Sequence, residues 1–356
     1  LQSAHFSCLM GSWTFISLGI ASVAGLSVIM LRRLLHPKVT FCDCASGISK
    51  HAVITGATSG IGLATARELA CRNWSLLLAC RDTGRGEAVR EKLVAETGNS
   101  KVLVKRLDLE DPNCIRKFAQ DLPHFDVLIN NAGIMSAKLT YSKKFPTLDT
   151  NMMTNFLGCF FLCELLLPHL KNPSKKAGPR PRLIFVSSAL ASRGNLRLQD
   201  KGSILAAAES GWTAQQSYAN SKQALNLYIR ELCARCGTGT DRSVDIYGLV
   251  TGGMVNTNLN REIVQGFPWP IQWFLRFLSR VLLKTPHEGC QSVVHCSVSD
   301  DVYGAHFISK HNSSENGSGC LYRNCVPVEW PTASGLGSLS AAVYQEAETI
   351  FEHEFR

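Results

Sequence analysis

The sequence predicts a doubly wound α/β fold, a parallel sheet with helices on both faces, forming one domain behind an N-terminal transmembrane helix. Three observations predict it. Residues 51–80 read as strand, glycine-rich turn, helix and second strand. Short apolar runs then alternate with helix-forming runs as far as residue 250, and several of them end in small polar residues, where a parallel sheet gathers its ligands. At 356 residues, 45% hydrophobic and 18% charged, the chain is long enough for one large domain and shows no repeat or disorder bias.

The first element is the anchor. No charged residue falls between His5 and Arg32, and residues 9–31 are apolar apart from Gly, Ser and Thr. At ~1.5 Å per residue such a helix spans a ~30 Å hydrocarbon core. The competing reading is a cleaved signal peptide with Ser22, Val23 and Ala24 as the small-residue site; the missing basic flank and the continuing apolar run (Leu26, Val28, Ile29, Met30) speak against it. Arg32, Arg33 and Lys38 follow directly and place the rest of the chain in the cytosol. Residues 1–36 are thus the anchor and 37–50 a linker. The net charge of +9 is not gathered into a stripe, so no nucleic-acid partner is expected, and the cations beside the apolar segment suit an anionic membrane surface. Fourteen cysteines without regular spacing read as reduced, buried thiols; Cys233 and Cys236 have no second pair at zinc spacing, and no metal site is expected.

Residues 51–55 form a short strand, 56–62 a tight turn and 63–72 a helix. Glycines at 56, 60 and 62 let the backbone approach a pyrophosphate and leave the helix N-terminus pointing at it. Residues 74–80 complete the βαβ unit. An acidic residue at the end of that strand would bind a ribose 2′-hydroxyl; this chain has Cys80 followed by Arg81, a cation where a 2′-phosphate would sit, which favours NADP(H). Helix 86–96, strand 102–107, helix 112–121 and strand 126–130 follow, the last ending at Asn130, Asn131, Ala132 and Gly133. A long helix at 150–170 carries Asn155 near its start. Strand 183–186 ends at Ser187 and Ser188, and 244–250 is the next strand.

Between them lies Tyr218, Ala219, Asn220, Ser221, Lys222, in a run free of Gly and Pro, so that Tyr218 and Lys222 share a helix face. A phenol titrating near ~10 is a poor acid or base at neutral pH, and an ammonium nearby would pull it toward the working range. The pair then serves an alcohol/carbonyl couple.

With these residues in place, the chain resembles the short-chain dehydrogenase/reductases, through TGxxxGxG at 55–62, NNAG at 130–133, Ser188 and YxxxK at 218–222, in that family's order and spacing over residues 50–309. Within it the chain looks like the membrane-anchored retinol-dehydrogenase-like branch, including the X-linked dehydrogenase/reductase type, through Ala79-Cys80-Arg81-Asp82, Asn155-Phe156-Leu157-Gly158 and Lys284-Thr285-Pro286-His287-Glu288-Gly289. The resemblance implies a Rossmann fold with a seven-stranded sheet over residues 51–310, a C-terminal extension at 311–356, NADP(H) as cofactor, and a small lipophilic alcohol or carbonyl substrate such as a retinoid, steroid or long isoprenoid. It implies Tyr218 as proton donor and acceptor, Ser188 as hydrogen-bond donor to the substrate oxygen, Lys222 as holder of the nicotinamide ribose, and Asn155 as support of a water relay. Gly56, Ser59, Gly60, Ile61, Gly62, Arg81, Asp108, Asn131, Ala132, Gly133, Gly253 and Thr257, with Tyr218 and Lys222, form the implied cofactor site. It further implies a single-pass protein of the endoplasmic reticulum or a lipid-associated membrane with a cytosolic catalytic domain; a homodimer is left open.

Two positions depart from that pattern. Thr251, Gly252 and Gly253 stand where the family has Pro-Gly, which removes a φ restraint, and Ser59 stands where many NADP-preferring relatives have a base, leaving Arg81 alone. The first change supports an alternative reading, a cofactor-binding but catalytically idle membrane scaffold or redox sensor. In the resembled family residues 258–284 are the substrate lid. Ile271, Phe274, Leu275, Leu278, Val281 and Leu282 form an apolar stripe, with Arg276, Arg280 and Lys284 on another face, a pattern that suits a membrane interface or packing on the sheet.

The predicted orientation has a reporter. Asn312-Ser313-Ser314 and Asn316-Gly317-Ser318 fit the N-glycosylation pattern and stay unmodified if the domain is cytosolic. Protein made in a eukaryotic cell is expected to show no mobility shift on endoglycosidase treatment; a shift abolished by Asn312→Gln and Asn316→Gln together would place the domain in the lumen.

Overall fold

The computed structural model describes residues 50–170, 180–198, 202–206, 211–236, 243–250, 255, 268–299, 320–323, 325–328 and 336–355, together with Ser27, Met30 and Leu34, which are helical and exposed. The expected anchor, apart from those three residues, and Gly253, Thr257 and the two glycosylation sites lie outside the described residues. Strands β1 (His51–Thr55), β2 (Ser75–Cys80), β3 (Val102–Arg106), β4 (Val127–Asn130), β5 (Arg182–Ser187), β6 (Asp245–Val250), β7 (Cys320–Arg323) and β8 (Val326–Val328) form one sheet in the order β3-β2-β1-β4-β5-β6-β7-β8. The first seven run parallel and β8 pairs antiparallel with β7. The order reverses between β1 and β4, so the chain leaves these neighbours toward opposite faces and a crevice opens at their carboxyl ends.

The helices are α1 (Gly60–Cys71), α2 (Thr83–Thr97), α3 (Pro112–Gln120), α4 (Thr150–Leu170), α5 (Ala214–Arg235), α6 (Trp269–Leu282), α7 (Pro286–Gly289), α8 (Gln291–Val298) and α9 (Leu336–Phe355). Helices α1 and α2 begin three residues before the sequence expectation. Asp82 explains the second, because its side chain accepts the Arg85 N–H as N-cap. Two cores flank the sheet. One joins Ile54, Leu78 and Ile129 to α1 and α8; the other joins Val53, Leu128 and Phe185 to α3, α4, α5 and α9. Helix α4 is long and apolar enough to cross a membrane, and 67% of its apolar stretch is buried in the fold, with Phe156, Phe160 and Phe161 fully enclosed. The ten cysteines described are thiols and seven are buried, as their scatter implies.

Within the expected C-terminal extension, β7 completes the parallel sheet and α9 completes the second core: Tyr344, Phe351 and Phe355 lie 5.2–6.3 Å from the rings of Phe160 and Phe161. Lys284 does not share a solvated face with Arg276, since α6 ends at Leu282 and the Lys284 side chain is buried. The apolar stripe of α6 is only partly covered, with Ile271 46% and Leu278 36% exposed, while Trp269 and Trp273 are 80% and 67% exposed.

Phe160 is fully buried, its ring centroid 4.9, 5.3 and 6.3 Å from those of Tyr228, Tyr344 and Phe351. Phe160→Ala is expected to lower unfolding free energy by about 3–5 kcal/mol, read from denaturant melts of the detergent-solubilised chain.

Candidate active site

The glycine turn begins at Gly56, whose φ of +64° belongs to the left-handed region. A Cβ at Gly56 would lie 2.8 Å from the Ala132 Cα, and one at Gly62 would lie 2.5 Å from the Gly56 carbonyl oxygen and 2.4 Å from the Asn131 amide nitrogen. Only glycine permits this approach. The turn is clasped from β4: the Thr55 hydroxyl accepts the N–H groups of Asn131 and Ala132, each at 3.0 Å, and the Asn131 side-chain amide donates to the Thr55 and Gly56 carbonyls at 2.9 and 3.2 Å. The side chain of Asn131 therefore holds the turn. Helix α1 leaves this turn without a side-chain cap at Ser59, whereas α2, α3, α4 and α5 are capped by Asp82, Asp111, Asp149 and Thr213. An uncapped N-terminus on a glycine turn leaves amide donors for an anion.

Ser59, Gly60 and Ile61 line a cavity of about 850 Å³ that runs from Arg81 and Asp108 at one end, past Asn131, Ala132 and Gly133, to Ser188, Tyr218 and Lys222 at the other. The volume, the uncapped helix and the glycine cradle fit a dinucleotide. Gly56 and Asn131 also line the cavity, and Val255 is the described residue there from the segment after β6.

At the far end, Tyr218 and Lys222 lie one turn apart on α5 and are buried. Lys222 Nζ donates to the Val186 carbonyl at 2.9 Å, at the end of β5. The Ser188 side chain is hydrogen-bonded to Tyr218 and accepts the Leu190 N–H at 3.2 Å as N-cap of the 3-10 turn Ala189–Arg193. Asn155 sits in a π turn, Met153–Leu157, inside α4. Its Oδ1 accepts the Ile134 N–H at 2.7 Å, and its Nδ2 donates to the Ile134 carbonyl and to the Ser221 hydroxyl, both at 2.9 Å. Asn155 thus joins α4, α5 and the segment leaving β4. The rim beyond Ser188 is fixed by α5: Asn220 accepts the Asn195 N–H and Gln223 the Leu196 N–H, at 2.9 and 2.8 Å.

The electrostatics differ from the expected pull of Lys222 on Tyr218. Burial pushes the Tyr218 phenol up, and the bond with Ser188 is what opposes it. Lys222 is itself pushed down to about 8 by burial, so desolvation, which sequence spacing does not report, governs both groups. A neutral phenol at neutral pH is a proton donor.

Two residues escape sequence reading. Arg81 does not stand alone, because Glu110 Oε1 lies 3.6 Å from its guanidinium. Arg193 lines the cavity beside Ser188. Glu110 sits in an acidic loop that gives no signal before sheet order places β3 beside β2. Arg193, five residues past Ser188 in a short turn, had only proximity in sequence to mark it.

A family model described as short chain dehydrogenase matches residues 50–199. Human retinol dehydrogenase 11 is 34% identical over 292 residues, covering 79% of this chain and 83% of that protein. Dehydrogenase/reductase SDR family member 13 of Bos taurus is 35% identical over 324 residues, 89% of this chain and 77% of that one. Among solved structures, an uncharacterized protein from Mycobacterium paratuberculosis superposes with a TM-score of 0.63 at 26% identity, covering 88% of this chain and 98% of that chain. An NADPH-bound short chain oxidoreductase of Pseudomonas aeruginosa, 20% identical with a TM-score of 0.54 over 73% of this chain and 93% of its own, shares the fold.

The depressed Lys222 has a signed consequence. Between pH about 8 and 10.5 the unfolded chain holds a proton that the folded chain has released, so folding stability rises with pH across that window and the penalty is complete below it. Denaturant melts are expected to show the protein gaining stability relative to a Lys222→Met variant from pH 8 to 10; a constant difference would mean that Lys222 titrates normally.

Proposed function

The chain belongs to the short-chain dehydrogenase/reductase family, in its retinol-dehydrogenase-like branch, and from that premise we propose that it interconverts a lipophilic alcohol and its aldehyde or ketone with NADP(H). Oxidoreduction between an alcohol and its carbonyl is the chemistry of that family, with a nicotinamide dinucleotide as the hydride carrier. The observation that carries the proposal is the single cavity with an anion-ready glycine turn at its middle and Tyr218, Ser188 and Lys222 together at one end. In the reductive direction the neutral Tyr218 phenol gives its proton to the carbonyl oxygen, while the Ser188 hydroxyl donates to the same oxygen; two donors converging there stabilise the developing alkoxide. Lys222, held by Val186, places a cation behind the phenol as it loses its proton and would hold the nicotinamide ribose, and Asn155 fixes the wall on which Lys222 sits. Gly56, Ser59, Gly60, Ile61, Gly62, Asn131, Ala132 and Gly133 would hold the pyrophosphate and the dinucleotide beside it, Asp108 the adenine, and Arg81 a 2′-phosphate; Gly253 and Thr257 are proposed for the nicotinamide half.

Residues 51–355 act as one catalytic domain in this proposal, anchored by residues 1–36 in the endoplasmic reticulum or a lipid-associated membrane and facing the cytosol. The exposed Trp269 and Trp273 of α6, with Arg276 also exposed, favour a second contact with the membrane interface, from which a retinoid, steroid or long isoprenoid substrate would reach the cavity.

Tyr218→Phe keeps the ring and removes the transferable proton. Turnover of a panel of lipophilic aldehydes is expected to fall by ~10² or more, with dinucleotide binding retained. Near-normal turnover of the variant would overturn the role of Tyr218, and binding of dinucleotide without turnover of any substrate by the unaltered protein would favour the idle-scaffold reading.

A further inference from the structure

Glu110 is the carboxylate that faces Arg81 across the ends of β2 and β3. Its Oε1 lies 3.6 Å from the Arg81 guanidinium and accepts the Thr154 hydroxyl at 3.3 Å, while its backbone N–H donates to the Asp108 Oδ1 at 3.1 Å. Thr154 belongs to the buried start of α4, so this hydrogen bond tethers the carboxylate to the protein wall. The Glu110 side chain is 29% exposed and that of Arg81 68%. At this end of the cavity Arg81 is the one cation among the described lining residues, and Asp108 and Glu110 both line it as well.

We propose that Glu110 is a specificity-determining residue, which competes with a ribose 2′-phosphate for Arg81 and so narrows the preference for NADP(H) over NAD(H). The inference rests on reading the cavity as a dinucleotide site. A guanidinium offers a planar fork that suits either a carboxylate or a phosphate. To reach the phosphate, Arg81 has to leave Glu110, and the tethered carboxylate then stands beside a second anion of about two negative charges. A dinucleotide without the 2′-phosphate meets neither cost, because it leaves the Arg81–Glu110 pair intact. The end of β2 lacks the acidic residue that would select the free ribose hydroxyl, so discrimination comes from Arg81 alone and Glu110 acts against it.

The test is calorimetric titration of NADPH and NADH into the detergent-solubilised full chain and into Glu110→Gln, Arg81→Gln and the double variant. Glu110→Gln keeps the shape and can still accept from Thr154, so melts are expected to match. It is expected to tighten NADPH by about tenfold and to move NADH by less than about threefold. Most of that gain is expected to vanish in the Arg81→Gln background. An equal shift for both dinucleotides, no shift, or weaker NADPH binding overturns the proposal, as does a full gain without Arg81. If neither dinucleotide binds the unaltered chain, the dinucleotide reading itself fails and takes this inference with it, an outcome distinct from binding that ignores Glu110.

Discussion

The hydroxyl of Thr55 is the pivot of the molecule. Strands β1 and β4 are neighbours whose chains depart to opposite faces, and a crevice between them stays open only if their exits are tied together. Thr55 Oγ1 donates to the Ile129 carbonyl at 3.3 Å and accepts two consecutive N–H groups from the far side, and Asn131 returns two bonds to the glycine turn. The Thr55 hydroxyl and both amide N–H donors of Asn131, backbone and side-chain, are thereby engaged, in a place where water could not replace a lost partner cheaply. The turn's geometry, the direction of α1 and the floor of the cavity all follow.

A second tie sets the other wall. Asp149, fully buried, caps α4 through the Met152 N–H at 2.9 Å and accepts the Ser217 hydroxyl at 2.5 Å; Asn151 donates to the same hydroxyl at 2.8 Å and accepts the Ser136 N–H at 3.2 Å. Ser217 immediately precedes Tyr218, and Asn155 lies one π turn into the helix that Asp149 starts. Asp149 therefore registers the two helices against each other, and Asn151 registers them against the segment that leaves β4. Burial raises the Asp149 carboxyl while its hydrogen bonds lower it, with burial the larger influence.

Much of this was legible in the sequence for physical reasons. The glycine turn must be glycine because backbone lies where a Cβ would go, and Tyr218 and Lys222 must share a face because they are four apart on a helix. What was not legible depends on three-dimensional neighbours. The Arg81–Glu110 pair joins residues from separate strand ends, and only the adjacency of β2 and β3 brings them together. The titration of Tyr218 and Lys222 turns on depth of burial, which no spacing encodes. β7 follows a Ser- and Gly-rich stretch that hides its place in the sheet, and the exposure of Trp269 and Trp273 depends on what packs beside α6, which its own sequence does not report.

Helix α9 bears on how the protein comes into being. It lies against α5 and α4, with Arg235 stacked 3.7 Å over Tyr344, Glu346 receiving the Ile204 N–H at 2.8 Å, and Lys144 paired with Glu354 at 2.8 Å. Those partners are made more than a hundred residues earlier. On the ribosome, where chains emerge from the N-terminus, the sheet from β1 to β6 can assemble while the aromatic face of Phe160, Phe161 and Tyr228 still lacks its cover. An apolar flank on the nascent domain therefore waits for α9, which is made later and covers it.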